Sequence, residues 1–419
     1  MMFDRIIRKN KNILYLYISQ IISKALYFIL AIFISRYLGV IGLGQYASSF
    51  AIAGISFIFV NAGFDNLLIR EISLDKNKAK RYLLDLIMLK ACLGLLIFLL
   101  FLYLSDKVGS FRDIKYLILI LIFSNLVDSS NQIFHCISIG YEKIKYSMAM
   151  FILKDTAIVG LSMIFLMRGG ALLQVMICSL IGSIVYFISG IVLVSRLKIR
   201  FAFQKNFLEI LELVKKNAPF SLAFIFSFML FKADLIILKL LKGNDAVGLF
   251  RAGTSFLVNL EVFPSFFMLA LYPKLSRLAE RNKPLLFRMY NKSFFYILTL
   301  NLLLLLPLFI FSRPLILLVF GNKFADSAEI LRYMSVPVFF LFQNVCNAYF
   351  LNAVNRPGFN AFIFCMGSVL NIILDFILIP VYGYYGVLIA TAVSYSLIFM
   401  LSLYVIETKI VRPYFKAFA

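Results

Sequence analysis

The sequence predicts an all-α polytopic membrane protein: twelve transmembrane helices in two pseudo-symmetric six-helix lobes. Three observations predict it. Apolar runs of about 20 residues recur along the whole chain, each long enough as a helix to cross the hydrocarbon core. Of the 419 residues, 62% are hydrophobic and only 15% charged, and mean hydropathy is +0.94, well beyond a soluble domain. The Lys and Arg residues gather in alternate connections. The ten-residue alternating segments of a β-barrel are absent.

The spans are expected at 13–34, 46–69, 82–104, 114–138, 147–167, 171–194, 218–241, 247–272, 293–311, 332–353, 359–380 and 384–406. The first run is too long for a cleavable signal and becomes helix one. Of the 42 Lys and Arg, 27 lie in the N-terminus and every second connection, against nine in the others when Lys115 and Arg332, at the very start of their spans, are counted with the preceding connections. That bias places both termini of a multi-pass protein in the cytoplasm. The same distribution speaks against nucleic acid as the reason for the net charge of +22, because the cations form no single soluble face. Between spans six and seven, Phe207-Leu-Glu-Ile-Leu-Glu-Leu-Val-Lys215-Lys216 reads as an amphipathic cytoplasmic helix. It divides the chain into an N-lobe, 1–205, and a C-lobe, 206–419. The basic segment 273–292 is expected at the interface as well.

The halves share a pattern. Arg36-Tyr-Leu-Gly-Val-Ile-Gly-Leu-Gly-Gln-Tyr precedes span two, and Leu-Leu-Lys-Gly-Asn-Asp-Ala-Val-Gly-Leu-Phe precedes span eight, so Gly39 falls on Gly243 and Gly44 on Gly248. Each motif couples a glycine turn to a membrane-length helix.

Ionisable groups inside a bilayer are costly unless they face protein or water, so each is a functional candidate. In span four, Ser124, Asn125, Asp128, Asn131, Gln132 and His135 share roughly half the helix circumference at 100° per residue. This stripe reads either as a cavity wall or as helix–helix packing through hydrogen bonds. Span one carries Gln20, Ser23, Lys24 and Tyr27; span eight carries Arg251, Thr254, Ser255, Asn259 and Glu261, with Pro264 able to bend it. Lys232 in span seven parallels Lys24. Asn344 and Asn347 enrich span ten in amides, and Ser368, Asn371 and Asp375 line span eleven. Lys154 and Asp155 are expected to neutralise one another or to snorkel. Asp85 and Lys90 read as structural charges. Arg70 and Glu71 end span two as a helix end or gate. The five cysteines fall inside helices without metal spacing, so neither disulfide, metal nor cofactor is expected. No P-loop or hydrolase signature occurs, no large outer loop offers room for a catalytic domain, and the chain reads as no enzyme.

The run Arg36-Tyr-Leu-Gly…Gly44-Gln-Tyr…Arg70-Glu-Ile-Ser resembles the polysaccharide-biosynthesis membrane proteins, the Wzx-type flippases of the multidrug/oligosaccharidyl-lipid/polysaccharide exporter superfamily. So do Gly243…Gly248-Leu-Phe…Tyr272-Pro-Lys-Leu-Ser and Asn352-Ala-Val-Asn-Arg356-Pro…Asn371-Ile-Ile-Leu-Asp375. The resemblance implies two six-helix lobes around a central cavity in a bacterial cytoplasmic (inner) membrane, with alternating access to the two leaflets for an undecaprenyl-pyrophosphate-linked oligosaccharide and ion or proton antiport. It also brings membrane lipids, a polysaccharide polymerase and glycosyltransferases in as partners. Joined to the helix-face reading, it makes Lys24, Arg251, Lys232, Gln20, Asn125, Gln132, Asn344 and Asn347 substrate contacts. Asp128, Glu261, Asp375 and His135 become coupling candidates. The rival is a drug or cation exporter of the same superfamily, for which a more acidic cavity is expected.

Overall fold

The structure is a computed structural model that describes residues 2–61, 65–105, 107–199 and 207–416, and among the described residues all regular structure is helical. The elements are α1 (Met2–Asn61), α2 (Asp65–Leu74), α3 (Asn77–Ser105), α4 (Lys115–Gly140), α5 (Ile144–Met167), α6 (Leu172–Arg196) and α7 (Phe207–Leu260). They continue with α8 (Val262–Arg281), α9 (Lys283–Ile310), α10 (Ser312–Val319), α11 (Ser327–Ala353), α12 (Pro357–Tyr382), α13 (Tyr384–Ile406) and α14 (Arg412–Lys416).

Ten described stretches are long and apolar enough to cross a membrane. Two of them, Ile18–Asn61 with 44 residues and Lys232–Arg281 with 50, are about twice the hydrocarbon thickness at 1.5 Å per residue. Gly39 breaks the first near its middle, and ahead of Gly243 the helix α7 reaches back to Phe207, so each glycine separates two membrane-length helices, which gives twelve. Gly39 has φ 69° and ψ −162°, and Gly243 has φ 84° and ψ −170°. A Cβ at either position would meet nothing within 4 Å, so the requirement is the positive φ and not space. The repeat pattern thus reappears as two matching backbone breaks at corresponding positions.

Several boundaries differ from expectation for physical reasons. Span eight divides at Glu261, between α7 and α8, because Pro264 has no N–H for the Leu260 carbonyl four residues back. The segment 207–216 is helical but continues without interruption into the following span, so it is no separate interfacial helix. The basic segment 273–292 is a tight helical hairpin: α8 continues through Pro273 to Arg281. The Asn282 side chain then caps α9 by accepting from Leu285 N–H at 3.0 Å, with Pro284 in the first turn.

The chain forms two compact units, Met1–Ile225 and Phe226–Ala419. The division lies inside α7, later than the expected 205/206. In the first unit α4 packs on α1, α2, α3 and α6; in the second α11 packs on α8, α9, α10 and α13. These two helices present the largest buried share of any apolar window, and both carry polar stripes. Without a hydrophobic drive between helices in lipid, close approach and hydrogen bonding hold such bundles. At Gly190 a Cβ would come within 2.2 Å of the Phe134 ring, so glycine lets α6 lie against α4. Leu95, Leu96, Leu99 and Leu100 of α3 and Leu302, Leu303 and Leu306 of α9 are exposed and form the lipid-facing surface.

Candidate functional site

In the first unit the polar groups of four spanning helices meet. Lys154 of α5 donates to Asp128 of α4 at 2.5 Å. The other Asp128 oxygen accepts from Asn131 at 3.1 Å, and the same Asn131 amide donates to the Ser183 carbonyl at 2.9 Å. Asp155 accepts from Ser23 and, at 3.0 Å, from Tyr27 of α1. The expected Lys154–Asp155 neutralisation is therefore corrected: neighbours in a helix point about 100° apart, and each finds its own partner. Ser23 and Tyr27, one turn apart, present the α1 stripe to α5. On the same helix Lys24 is partly buried and Gln20 exposed.

A second set of contacts also involves α4. The Lys90 ammonium donates to Asn61 at 2.7 Å and to the Ser129 carbonyl at 2.8 Å. Gln132 donates to Asp65 at 2.9 Å, and Asn125 to the Ala53 carbonyl at 2.8 Å. His135 shares a hydrogen bond of 2.5 Å with Ser147 and stands edge-on to Phe151 at 5.2 Å. Arg70 is exposed, while Glu71 pairs with Lys78 across the α2–α3 turn, which makes this a helix-end brace.

In the second unit Lys232 has Arg251 and Glu261 as its charged neighbours, so three sequence candidates come together. Asp375 of α12 is 0% exposed and lies within hydrogen-bonding reach of Asp234 of α7. Thr391 of α13 approaches Asp234 at 3.4 Å. With both carboxyls ionised there is no donor between them: both Asp375 oxygens and Asp234 Oδ1 lack a partner, as do both amide atoms of Asn371. Asn371 stands one helical turn from Asp375, on the same face. Adjacent buried carboxylates cannot both stay charged unless a proton or cation joins them, and unpartnered carboxylate and amide oxygens are hard ligands suited to a cation.

On α11 the Asn344 and Asn347 amides reach neighbouring helices, while the Asn344 oxygen and both amide atoms of buried Gln343 lack a partner. Asn344 donates to the Tyr395 carbonyl at 3.1 Å. Asn347 accepts from Tyr290 at 2.8 Å, donates to Ser402 at 2.7 Å and is 0% exposed. Asn344 and Asn347 thus hold helices to one another and, being buried, do not stand open to sugar hydroxyls as expected, whereas Asn125 and Gln132 bond to neighbouring helices while remaining partly exposed. Asp65 and Asp234 were missing from the residues singled out in the sequence, where Lys154 and Asp155 read as a self-neutralising or snorkelling pair. Their signal was an acid or base within an apolar span, but the pairing depends on helix rotation, which one sequence does not encode.

Residues 10–279 match the family model described as polysaccharide biosynthesis protein. The chain is 28% identical over 173 residues to an uncharacterized membrane protein, MJ1068, of Methanocaldococcus jannaschii, covering 41% of this chain and 34% of that protein. It is 25% identical over 167 residues to a protein described as "Probable low-salt glycan biosynthesis flippase Agl15" of Haloferax volcanii, covering 39% and 35%. The chain thus spans about a third of the length of these curated relatives. Among solved structures, the lipid II flippase MurJ in an inward closed conformation aligns with TM-score 0.78 at 18% identity over 94% of this chain and 88% of that one. An inward-facing multidrug transporter of the MATE family, in the MOP superfamily, aligns with TM-score 0.75 at 16% identity over 94% and 98%. At such identities the likeness is one of fold.

Proposed function

Because the chain belongs to the polysaccharide biosynthesis protein family, we propose that it is a flippase and not an enzyme. Its cargo would be an undecaprenyl-pyrophosphate-linked oligosaccharide, moved across a bacterial cytoplasmic membrane by alternating access. The observation that carries this reading is the family match over 10–279 in a chain whose spans bear Lys24, Lys232 and Arg251. Cations at membrane depth are costly, and a pyrophosphate is a ligand that repays that cost through charge-assisted hydrogen bonds. Gln20, exposed on the Lys24 helix, adds a donor and acceptor for the headgroup.

Coupling belongs to the Asp234–Asp375 pair in this reading. A proton or cation neutralises the pair in one conformation and leaves it in the other, so its binding shifts the population between them. Asp128 and Glu261, each beside a cation, are less suited to carry a proton. His135, tied to Ser147, serves packing. The drug-exporter reading shares the fold, but the cationic groups at Lys232 and Arg251 repel a cationic drug. A polymerase and glycosyltransferases remain the partners that the cargo implies.

The test is neutralisation of Lys24→Gln with Arg251→Gln in the purified full chain, reconstituted in vesicles. The expected result is loss of pyrophosphate-linked glycan translocation by roughly ten-fold or more, on a scale of about 1.5–3 kcal/mol per charged hydrogen bond, with elution and thermal stability retained. Wild-type rates in that variant would remove the cationic contact from the account.

A further inference from the structure

We propose that the groove between the tips of α8 and α9 binds one anionic phospholipid, its phosphate on Lys274, Arg288 and Lys292 and an acyl chain along Phe267, Leu271 and Tyr296. This site lies within the second unit and is independent of the cargo. The groove is a cavity of about 510 Å³ whose lining holds three cations and no carboxylate. A volume of that order suits a lipid headgroup with its first methylenes.

The amphiphilic order of the groove follows from helix spacing. Phe267, Leu271 and Lys274 recur at i, i+4 and i+7 along α8; Arg288, Met289, Lys292 and Tyr296 share one face of α9. Measured from the cap at Asn282 at 1.5 Å per residue, the three cations lie about 9–15 Å along the helices and the aromatic pair about 21–22 Å. Phe267 and Tyr296 stack there with centroids 4.2 Å apart, closing the apolar end. A cationic band one headgroup's depth above an aromatic and aliphatic floor is the layering of a membrane interface.

The cations are available. Lys274, Arg288 and Lys292 are exposed, and none of them is paired with a carboxylate among the described residues. Arg277, by contrast, is turned back onto the Pro273 carbonyl at 3.1 Å. A neighbouring cavity of about 810 Å³, lined by Arg281, Lys283, Arg356 and Lys409 against the single carboxylate of Glu280, extends the positive field. Basic pockets between membrane helices hold phosphate headgroups through this kind of charge density. A soluble anion would be served by the cations alone; the apolar floor in line with them favours a lipid.

The experiment is native mass spectrometry of the full chain with phosphatidylglycerol and phosphatidylcholine of identical acyl chains. One phosphatidylglycerol is expected to be retained with a preference of roughly ten-fold or more. Lys274→Gln with Arg288→Gln and Lys292→Gln abolishes the preference, whereas Lys274→Arg with Lys292→Arg keeps it. Arg313→Gln with Lys323→Gln, at the other end of α9, keeps it too. Equal retention of both lipids by the wild type, or an unchanged preference in the glutamine triple variant, overturns the site. Displacement of the lipid by excess inorganic phosphate overturns the lipid assignment in favour of a soluble anion.

Discussion

Asp234→Asn combined with Asp375→Asn leaves the protein folded and severs its transport from any ion gradient. In the wild type the two carboxyls share a site in which Asp375 is 0% exposed, so a proton or cation is a structural necessity whenever the site is closed. Asparagine keeps the shape, removes both charges and supplies N–H donors for the unpartnered oxygens around it. Thermal stability of the wild type therefore rises on acidification or on adding a monovalent cation, and that of the double variant responds to neither. In reconstituted vesicles an imposed gradient accelerates the wild type by roughly 5- to 150-fold, the usual range of a coupling free energy, and does nothing for the variant. Equal gradient dependence in both proteins would place coupling elsewhere.

The second large effect is on stability. Lys154→Met removes the cation from Asp128 and leaves a carboxylate inside the α4–α5–α6 packing. Breaking a buried ion pair from one side costs about 3–5 kcal/mol; the 15% and 19% side-chain exposure of the partners puts this pair toward the lower end through water screening. The double variant Lys154→Met with Asp128→Leu recovers most of the loss, because no charge is left behind. Unfolding of the two single variants and the double, followed by circular dichroism in one detergent, gives the coupling energy directly. Additive losses would mean that the pair is not an interacting unit.

The architecture was legible because bilayer thickness acts on sequence directly: apolar runs have to be about 20 residues long, and cations sort between connections. The duplicated turn was legible because Gly39 and Gly243 are needed for their positive φ, a demand that leaves glycine at matching places. Ends of helices were harder to place. Asn282 and Pro284 form a start signal that hydropathy alone passes over, and Pro264 acts on the backbone four residues behind it.

The candidate site was legible as a set of residue types and not as a set of pairs. Asp128, Lys232, Arg251, Glu261 and Asp375 all sit in polar clusters, as their cost in lipid requires. Which group answers which depends on rotations and depths of separate helices. Hence Lys154 reaches Asp128 and not the adjacent Asp155, and Asp234 meets Asp375 across three helical spans. Amides were ambiguous for a different reason: Asn344 and Asn347 donate and accept equally well toward a sugar or a neighbouring helix, and burial decided for the helix.

Translocation of a fluorescent, undecaprenyl-pyrophosphate-linked oligosaccharide in vesicles, read by quenching from outside, tests the central claim most directly. The account predicts that the wild-type chain exposes the label in both leaflets, and that replacing the pyrophosphate by a neutral linker slows the exchange sharply. Vesicles that move neither lipid but expel a cationic dye would contradict it.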